Sequence, residues 1–295
     1  MDGVAASMVG DHGQGVKSPS TPLRGIPFAK MTGSGNDFVF FDSRDVALAD
    51  VTSPEMIKSI CNRHNGIGAD GIVVLEPSAP DADVRIHYFN SDGTSADLCG
   101  NATLCSTALS VLLGLGSHSG MTLTTPAGLI ASRVTSGEPE IDLQPVAAIR
   151  TAMPIDLVNG EQRIGFAVAG IPHLVILCDD ADQVDVNGRG PLLRRHLASG
   201  PAGANVNWVS RMPGGQWRYR TFERGVEGET LACGTGAVAT AVLLTTWGLA
   251  SSSTVTIRTS SGRDVEVRLV ATETGYQPTL RGEGRVVFRG VIESM

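Results

Sequence analysis

Two cysteines in the 295-residue chain stand in similar local sequences. Cys99 is followed by Gly-Asn-Ala and Cys233 by Gly-Thr-Gly-Ala, and each Cys-Gly pair directly precedes a segment predicted to be a mostly buried helix. A helix N-terminus carries about half a positive charge and several unpaired N–H groups. We therefore expect a thiol at either position to have a pKa lowered from about 8.5 towards neutrality. A carboxylate can accept hydrogen bonds from the same N–H groups.

Two such helix starts that face each other could invert a carbon centre. Inversion needs a base on one face of the carbon and an acid on the other, and a thiolate with a thiol supplies both in either direction. The N–H groups would stabilise the charge that develops beside a carboxylate. This pattern predicts an amino-acid epimerase with Cys99 and Cys233 as its acid/base pair. Core thiols or a structural disulfide are the alternatives, and Cys61, Cys105 and Cys178 are interpreted as core thiols.

The two cysteines belong to an internal repeat, since the offset from Cys99 to Cys233 is 233 − 99 = 134 residues. Three further pairs of segments occur in the same order with offsets between 133 and 136 residues: 121–128 with 255–262, 84–90 with 217–223, and 38–42 with 174–178. Such a repeat predicts two homologous domains, 25–150 and 151–295. Residues 1–24 lack the apolar core of a signal peptide and are interpreted as a disordered extension.

The same succession of elements is expected in each half. Strands are predicted at 37–41, 71–75, 84–89, 121–125, 129–134 and 140–143, with a helix at 101–115. The second half repeats this with a helix at 236–247 and strands at 255–259, 265–269 and 285–289. Together they predict an α+β fold of two pseudo-symmetric domains, each a mixed β-sheet or barrel wrapped around a central helix, with the active site in the cleft between them.

Composition excludes several classes of partner. The formal net charge of −7, with no basic run, argues against a nucleic-acid or anionic-membrane surface. No apolar stretch approaches the roughly 20 residues of a membrane span. Without an export signal, the thiols are expected in a reducing compartment, the cytoplasm.

The sequence also predicts chemistry without a metal or another cofactor. The six histidines show no spacing typical of metal ligands. A pyridoxal enzyme needs a Schiff-base lysine, and the chain offers only Lys17, Lys30 and Lys58. Lys17 falls in the predicted extension and Lys58 on a predicted surface helix, so a cofactor-independent reaction on a small molecule is favoured.

From Lys30 onward the chain resembles the diaminopimelate epimerase family. The motifs that carry the resemblance are Gly-Ser-Gly-Asn-Asp-Phe at 33–38, Arg-His-Asn-Gly-Ile-Gly-Ala-Asp at 63–70, Phe-Asn-Ser-Asp-Gly at 89–93, Cys-Gly-Asn at 99–101, Pro-His at 172–173, Asn-Val-Asn at 205–207 and Glu-Arg-Gly-Val-Glu-Gly-Glu-Thr-Leu-Ala-Cys-Gly-Thr-Gly at 223–236. The resemblance implies cofactor-independent epimerisation of L,L-diaminopimelate to meso-diaminopimelate, in the lysine and peptidoglycan precursor pathway. A racemase or epimerase of another amino acid on the same fold stays open, as does a homodimer.

The resemblance also implies residue roles. Cys99 and Cys233 would be the catalytic bases, and His173 and Glu223 the pair that tunes them. Substrate contacts are implied for Asn36, Asn90, Gly100, Asn101, Asn205, Glu223, Arg224, Gly234 and Thr235, with the Gly100–Asn101 and Gly234–Thr235 amides holding the reacting carboxylate. The residues themselves support Arg224 as a fork for a distal carboxylate, whereas Asn36 and Asn90 also suit turns.

Four positions depart from the family's usual pattern. Ala102 and Leu104 replace a Gly and an Arg, and Ile171 stands where the family often has Asn. Gly71 stands where some members carry a ligand-contacting Gln. Ile171 and Gly71 are therefore not assigned to the site.

Overall fold

The computed structural model describes residues 23–77 and 82–293. Its strands are β1 (Pro27–Gly33), β2 (Asn36–Asp42), β3 (Gly71–Pro77), β4 (Val84–Asn90), β5 (Met121–Thr125), β6 (Gly128–Thr135), β7 (Glu138–Asp142), β8 (Ile149–Arg150), β9 (Glu161–Ala169), β10 (Ile171–Cys178), β11 (Asn205–Arg211), β12 (Trp217–Glu223), β13 (Gly228–Thr230), β14 (Thr254–Arg258), β15 (Asp264–Ala271), β16 (Tyr276–Arg281) and β17 (Arg285–Val291). Its α-helices are α1 (Leu48–Val51), α2 (Pro54–Cys61), α3 (Gly100–Leu112), α4 (Val186–Arg194) and α5 (Gly234–Thr246). Short 3-10 helices cover Ala181–Gln183 and Leu197–Ser199.

The strand pairings follow the same plan in each half, which confirms the predicted pseudo-symmetric α+β fold. In the first half β1 and β2 are antiparallel, β2 and β3 parallel, β3 and β4 antiparallel, and β4 and β5 parallel, followed by the antiparallel β5–β6–β7. Strands β9, β10, β11, β12, β14, β15 and β16 repeat this sequence of pairings. An antiparallel β7–β16 pair joins the two halves.

Strand register refines the repeat at its upstream end. Asn90 lies opposite Gly71 on the neighbouring strand. The β11–β12 pairing starts with Val206 opposite Phe222, and the same register continued by one residue places Asn205 opposite Glu223. In the parallel pairs, Gly71 is then aligned with Phe38 and Asn205 with His173. Gly71 is therefore the counterpart of Asn205. The match of 38–42 with 174–178 was wrong by one residue, since Phe38 corresponds to His173.

Each half wraps its sheet around one central helix, α3 or α5. Both helices have 13 residues and are predominantly apolar around their circumference, as expected for helices that are buried on several sides. Each is followed by a residue in the right-handed region and then by a glycine with positive φ, Gly114 or Gly248, a common way for a helix to end. The glycine ends α3 at Leu112, three residues before the predicted end at Leu115.

The first and last segments of the described part of the chain pair in the first half. The last strand, β17, pairs antiparallel with β1, although its sequence position places it in the second predicted domain. Leu23, which falls within the predicted extension, is buried in the same cluster as Ile292. Residues 1–22 of that extension lie outside the described residues. Among the described helices, none has the length and apolar character that crossing a membrane requires.

Candidate active site

The N-termini of α3 and α5 meet where the two halves face each other. A Cβ atom built on Gly100 would lie 3.6 Å from the Cα atom of Gly234, and the reverse distance is also 3.6 Å. Cys99 and Cys233 are the N-cap residues of these helices, with φ −128° at both and ψ of 112° and 111°. The structure thus brings the two predicted thiols to one junction in matching backbone conformations.

Burial decides the resting ionisation of both thiols. It raises the pKa of Cys99 to about 11, although the backbone N–H groups of Ala102 and Asn101 lower it. Burial, followed by the negative charge of Glu223, raises the pKa of Cys233 above that of Cys99. Hydrogen bonds from the Thr235 hydroxyl and the Gly236 amide lower it, but by less. The prediction of a near-neutral thiol pKa was wrong for this structure, because loss of solvent outweighs the helix-start amides.

The Cys233 side carries the polar side chains of β11 and β12. The Asn205 amide lies 3.7 Å from the Cys233 sulfur as a donor, and the Thr235 hydroxyl lies 3.5 Å from it. Glu223 contacts the same sulfur, and its other polar neighbour is the hydroxyl of Thr230. Burial raises the pKa of the Glu223 carboxyl, against the effect of these two contacts.

His173 reaches this thiol through Thr235. Its Nε2 atom lies 3.2 Å from the Thr235 hydroxyl and its Nδ1 atom 3.3 Å from the Asn207 Nδ2 atom. Burial, then the positive charge of Arg224, lowers the pKa of His173 to about 3. The imidazole is therefore neutral near pH 7.

Asn207 fixes which nitrogen of His173 carries the proton. The Asn207 Oδ1 atom accepts from the Tyr219 and Thr221 hydroxyls at 2.9 and 3.0 Å, and its Nδ2 atom donates to the Leu174 carbonyl at 2.7 Å. The Nδ2 group can only donate, so the Nδ1 atom of His173 accepts and its Nε2 atom carries the hydrogen. That hydrogen points at Thr235, whose own hydroxyl is then free to donate to Cys233.

The Cys99 side is held by a chain of polar contacts that begins at β2. Asn101 donates to the Asn36 Oδ1 atom at 2.7 Å, and Asn36 donates to Asp70 at 3.0 Å. Arg63 bridges Asp70 and Asp37, at 2.7 Å to each. The structure thus brings together Asn36 and Asn101, both expected to contact substrate. Asp70, the last residue of the 63–70 motif, was given no role from the sequence and orients the Asn36 amide.

The network of polar contacts that begins at Asn101 ends in an ion pair between Lys30 and Asp37. Lys30 lies 2.7 Å from Asp37 and also donates to the Gly68 carbonyl. Burial raises the pKa of Asp37, but the hydrogen bonds and charges of Arg63 and Lys30 more than offset this and lower it to about 2. The Asp37 carboxylate is therefore an anion. Its pairs with Arg63 and Lys30, and the bond from Lys30 to the Gly68 carbonyl, hold the loop that contains Arg63 and Gly68.

Asn90 and Tyr88 complete the Cys99 side. The Asn90 amide donates to the Thr94 hydroxyl at 3.0 Å, so it supports the turn as well as the site. The Tyr88 hydroxyl donates to the Asn90 Oδ1 atom at 2.9 Å and contacts Cys99. Tyr88 was missed from the sequence, because an aromatic residue in a strand carries no motif.

Arg224 is the half-buried cation of the site. Its backbone N–H donates to the Asn205 Oδ1 atom at 2.9 Å, and its Nη1 atom lies 3.4 Å from the Ala202 carbonyl. Within 23–77 and 82–293, no carboxylate forms a salt bridge with this guanidinium. A charged fork without an anionic partner is what a substrate carboxylate would require.

The four departures from the family pattern fall into different places. Ala102 and Leu104 are buried in the packing around α3. Ile171 lines a cavity of about 410 Å³ together with Thr235 and Val238. Gly71 lies beneath the ring of Tyr88.

A sequence model of the family described as diaminopimelate epimerase matches residues 28–147 and 166–278. This chain belongs to the diaminopimelate epimerase family. The family consists of isomerases that act on a small-molecule substrate. The repeated match, in two blocks, follows the two halves of the fold.

Relatives and solved structures agree with this placement. A diaminopimelate epimerase of Gemmatimonas aurantiaca is 68% identical over 92% of this chain and 100% of its own length. One from Aquifex aeolicus is 36% identical over 80% of this chain and 88% of its own. A crystal structure of a probable proline racemase from Agrobacterium radiobacter has a TM-score of 0.65 at 19% identity, covering 90% of this chain and 92% of its own, and it shows the shared fold.

Metal ligation finds no support in the described side chains. Among residues 23–77 and 82–293, no three His, Cys, Asp or Glu side chains are grouped so that they could hold a metal ion.

Proposed function

We propose that this protein epimerises L,L-diaminopimelate to meso-diaminopimelate without a cofactor, with Cys99 and Cys233 as the two bases. The observation that carries the proposal is the junction of α3 and α5, where Gly100 and Gly234 abut and each is directly preceded by an N-cap cysteine. A carbon held there would have one sulfur on each face.

The reaction needs one thiolate and one thiol at a time. The thiolate takes the α-hydrogen as a proton and becomes a thiol, and the electron pair stays on the α-carbon beside the carboxylate. The opposite thiol then donates its proton to the other face of the carbon and becomes the thiolate. Configuration is inverted, and the two cysteines have exchanged protonation states.

The helix starts stabilise this carbanion. The N–H groups that follow Cys99 and Cys233 point out of α3 and α5 without intrahelical partners, as at any helix N-terminus. They would hold the reacting carboxylate and stabilise negative charge as it develops there.

The second amino-acid head of the substrate needs partners of its own, since burying charged groups is costly unless each is paired. Arg224 offers a fork for the distal carboxylate, and Glu223 an anion for an ammonium group. Asn205 accepts from the Arg224 backbone N–H, and Asn90 ends β4 in the other half of the fold. We propose that these four side chains recognise the non-reacting head.

Deuterium exchange tests the proposed function. In D₂O, with chelator present and pyridoxal phosphate absent, L,L-diaminopimelate should gain solvent deuterium at an α-carbon while meso-diaminopimelate accumulates, as followed by NMR. Failure to exchange, or activity that depends on added metal or pyridoxal phosphate, would refute the mechanism.

A second candidate is a racemase of another amino acid, and one observation favours it. Ile171 and Val238 give the cavity beside Thr235 an apolar wall, which suits an uncharged side chain. The same exchange experiment with a panel of monocarboxylic amino acids separates the two candidates. Faster exchange of an apolar amino acid than of diaminopimelate would favour the racemase.

We also propose that the enzyme works in the cytoplasm as a homodimer. All five cysteines are free thiols, which suits a reducing compartment.

The homodimer is suggested by apolar side chains on β17. Val287, Phe288 and Val291 are about half exposed, at 48%, 47% and 52%. Analytical ultracentrifugation of the wild type and of Phe288→Glu should show a dimer that the substitution dissociates; a monomeric wild type would refute the dimer.

A further inference from the structure

We propose that Tyr88 is a further catalytic residue, whose hydroxyl donates to the Cys99 thiolate and returns to Asn90 when Cys99 is protonated. The inference rests on the proposed role of Cys99 as a base. It assigns the Cys99 side a hydrogen-bond donor that the sequence does not reveal.

The pseudo-symmetry of the two halves leads to Tyr88. On the Cys233 side, the strand residue that donates to the thiol is Asn205, 3.7 Å from the sulfur, beside the helix residue Thr235 at 3.5 Å. The equivalent position on the Cys99 side is Gly71, since Gly71 lies opposite Asn90 as Asn205 lies opposite Glu223. Gly71 has no side chain, so a strand side chain that donates to the Cys99 thiol, in addition to the Ala102 and Asn101 amides, must come from another position.

Tyr88 occupies the space that a side chain at position 71 would need. A Cβ atom built on Gly71 would lie 2.9 Å from the Cε2 atom of Tyr88 and 3.3 Å from its hydroxyl. The ring packs edge-on against Phe38, with 6.0 Å between the ring centroids. In this position its hydroxyl donates to Asn90, and it takes beside Cys99 the place that the Asn205 side chain takes beside Cys233.

The Tyr88 hydroxyl has one proton and two acceptors within reach. With Cys99 protonated, the hydroxyl donates to the Asn90 Oδ1 atom, and its own oxygen can accept from the thiol. With Cys99 ionised, rotation of the O–H bond turns the proton towards the sulfur. The proton stays on the tyrosine throughout, because burial and then the negative charge of Cys99 raise the pKa of Tyr88.

This rotation would couple substrate binding to ionisation of the thiol. Asn90 donates its amide hydrogen to Thr94, so its Oδ1 atom is the acceptor that faces Tyr88. An ammonium group that donates to this oxygen would compete with Tyr88 for it. The displaced hydroxyl would then stabilise the Cys99 thiolate, so that the base forms when the substrate is in place.

The test measures the pKa of Cys99 directly. In a Cys233→Ser background, the rate of Cys99 alkylation by iodoacetamide is followed against pH, with each cysteine resolved by peptide mass spectrometry. Tyr88→Phe keeps the ring and removes the donor, and should raise the pKa of Cys99 by about one to two units. Tyr276→Phe, on β16, is the matched control and should leave it unchanged.

A second variant, expected to change the pKa of Cys99 in the opposite direction, distinguishes a lost hydrogen bond from a folding defect. Replacing Tyr88 with 3-fluorotyrosine makes the hydroxyl a stronger donor and should lower the pKa of Cys99. In the enzyme with both cysteines, Tyr88→Phe should move the rising limb of the rate–pH profile to higher pH in the direction where Cys99 is the base. An unchanged Cys99 pKa in both Tyr88 variants overturns the proposal. Full turnover by Cys99→Ala would instead overturn the proposed function, whatever the Tyr88 variants show.

Discussion

The Cys99 and Cys233 sides of the site share a backbone and differ in their side chains. Cys99 and Cys233 are each the N-cap residue of a 13-residue helix, and their φ and ψ angles agree to within a degree. The strand residue beside the thiol is the neutral Asn90 on one side and the carboxyl of Glu223 on the other. The strand side chain that donates to the thiol is the Asn205 amide on the Cys233 side and, we propose, the Tyr88 hydroxyl on the Cys99 side.

The difference separates proton transfer from recognition. Inverting a carbon needs two equivalent bases, and the helix starts supply them symmetrically. Telling one end of a substrate from the other needs an asymmetric surface, and the strands supply it. The same asymmetry makes the pKa values of the two thiols differ. The negative charge of Glu223, which contacts Cys233, is the second cause after burial of the raised pKa of Cys233, whereas for Cys99 it ranks third.

Removing either thiol tests the symmetric part of the site, the two helix starts, and should have the largest effect on turnover. Cys99→Ala and Cys233→Ala should each lower kcat for epimerisation by about 10²–10⁴-fold, since each removes one of the two proton-transfer groups. Turnover is measured by NMR. Cys178→Ala, which removes a buried thiol outside the junction, is the control. A Cys99→Ala variant with normal kcat would mean that the two sides do not share the proton transfer.

Arg224 tests the asymmetric part. Arg224→Ala should lower kcat/KM for L,L-diaminopimelate by about 10–100-fold, because a charge-assisted hydrogen bond to the distal carboxylate is lost. Turnover of a monocarboxylic amino acid should change much less. Arg195→Ala removes an exposed arginine of the same half and serves as control. Equal losses for both substrates would contradict a recognising end at Arg224.

Glu223 tests the inequality of the thiols. Glu223→Gln removes a negative charge that raises both thiol pKa values, so the pKa of Cys233 should fall by about one to three units and that of Cys99 by less. Alkylation rates against pH give both values. The reciprocal Asn90→Asp should raise the pKa of Cys99, and the surface variant Glu273→Gln should change neither. A larger shift at Cys99 than at Cys233 in Glu223→Gln would reverse the assignment.

His173 gives the smallest effect, on stability. Its pKa is about 3 in the folded protein and about 6.5 when unfolded, so the unfolded state binds more protons as pH falls below 6.5. The stability that this group contributes is complete above that pH and is lost as the pH falls towards 3. Denaturant unfolding should show about 2 kcal/mol lost through this group between pH 7 and 5, and His173→Gln should abolish that part. The exposed His64→Gln should not; an unchanged pH dependence in His173→Gln would show that folding leaves the pKa of His173 near its unfolded value.

Much of the fold could be predicted from the sequence, because the internal repeat shows the same pattern twice. The strand at Met121–Thr125 was predicted with its observed bounds. Strand register was less secure: an apolar run such as 38–42 looks alike after a one-residue shift, whereas the hydrogen-bonded neighbours fix the alignment. For the same reason the pairing of β17 with β1 could not be predicted, since it joins segments more than 250 residues apart in the chain.

The sequence by itself determined which residues could do chemistry: two Cys-Gly helix starts in equivalent places, with Arg224 and Glu223 beside the second. Only the tertiary structure decided how those residues behave. Whether the thiols are acidic depends on how much solvent remains around them, and that is set by packing of both halves, which raised the pKa of each. That Tyr88 faces Cys99 depends on a glycine on the neighbouring strand, because the space beside a side chain is a property of residues that are distant in sequence.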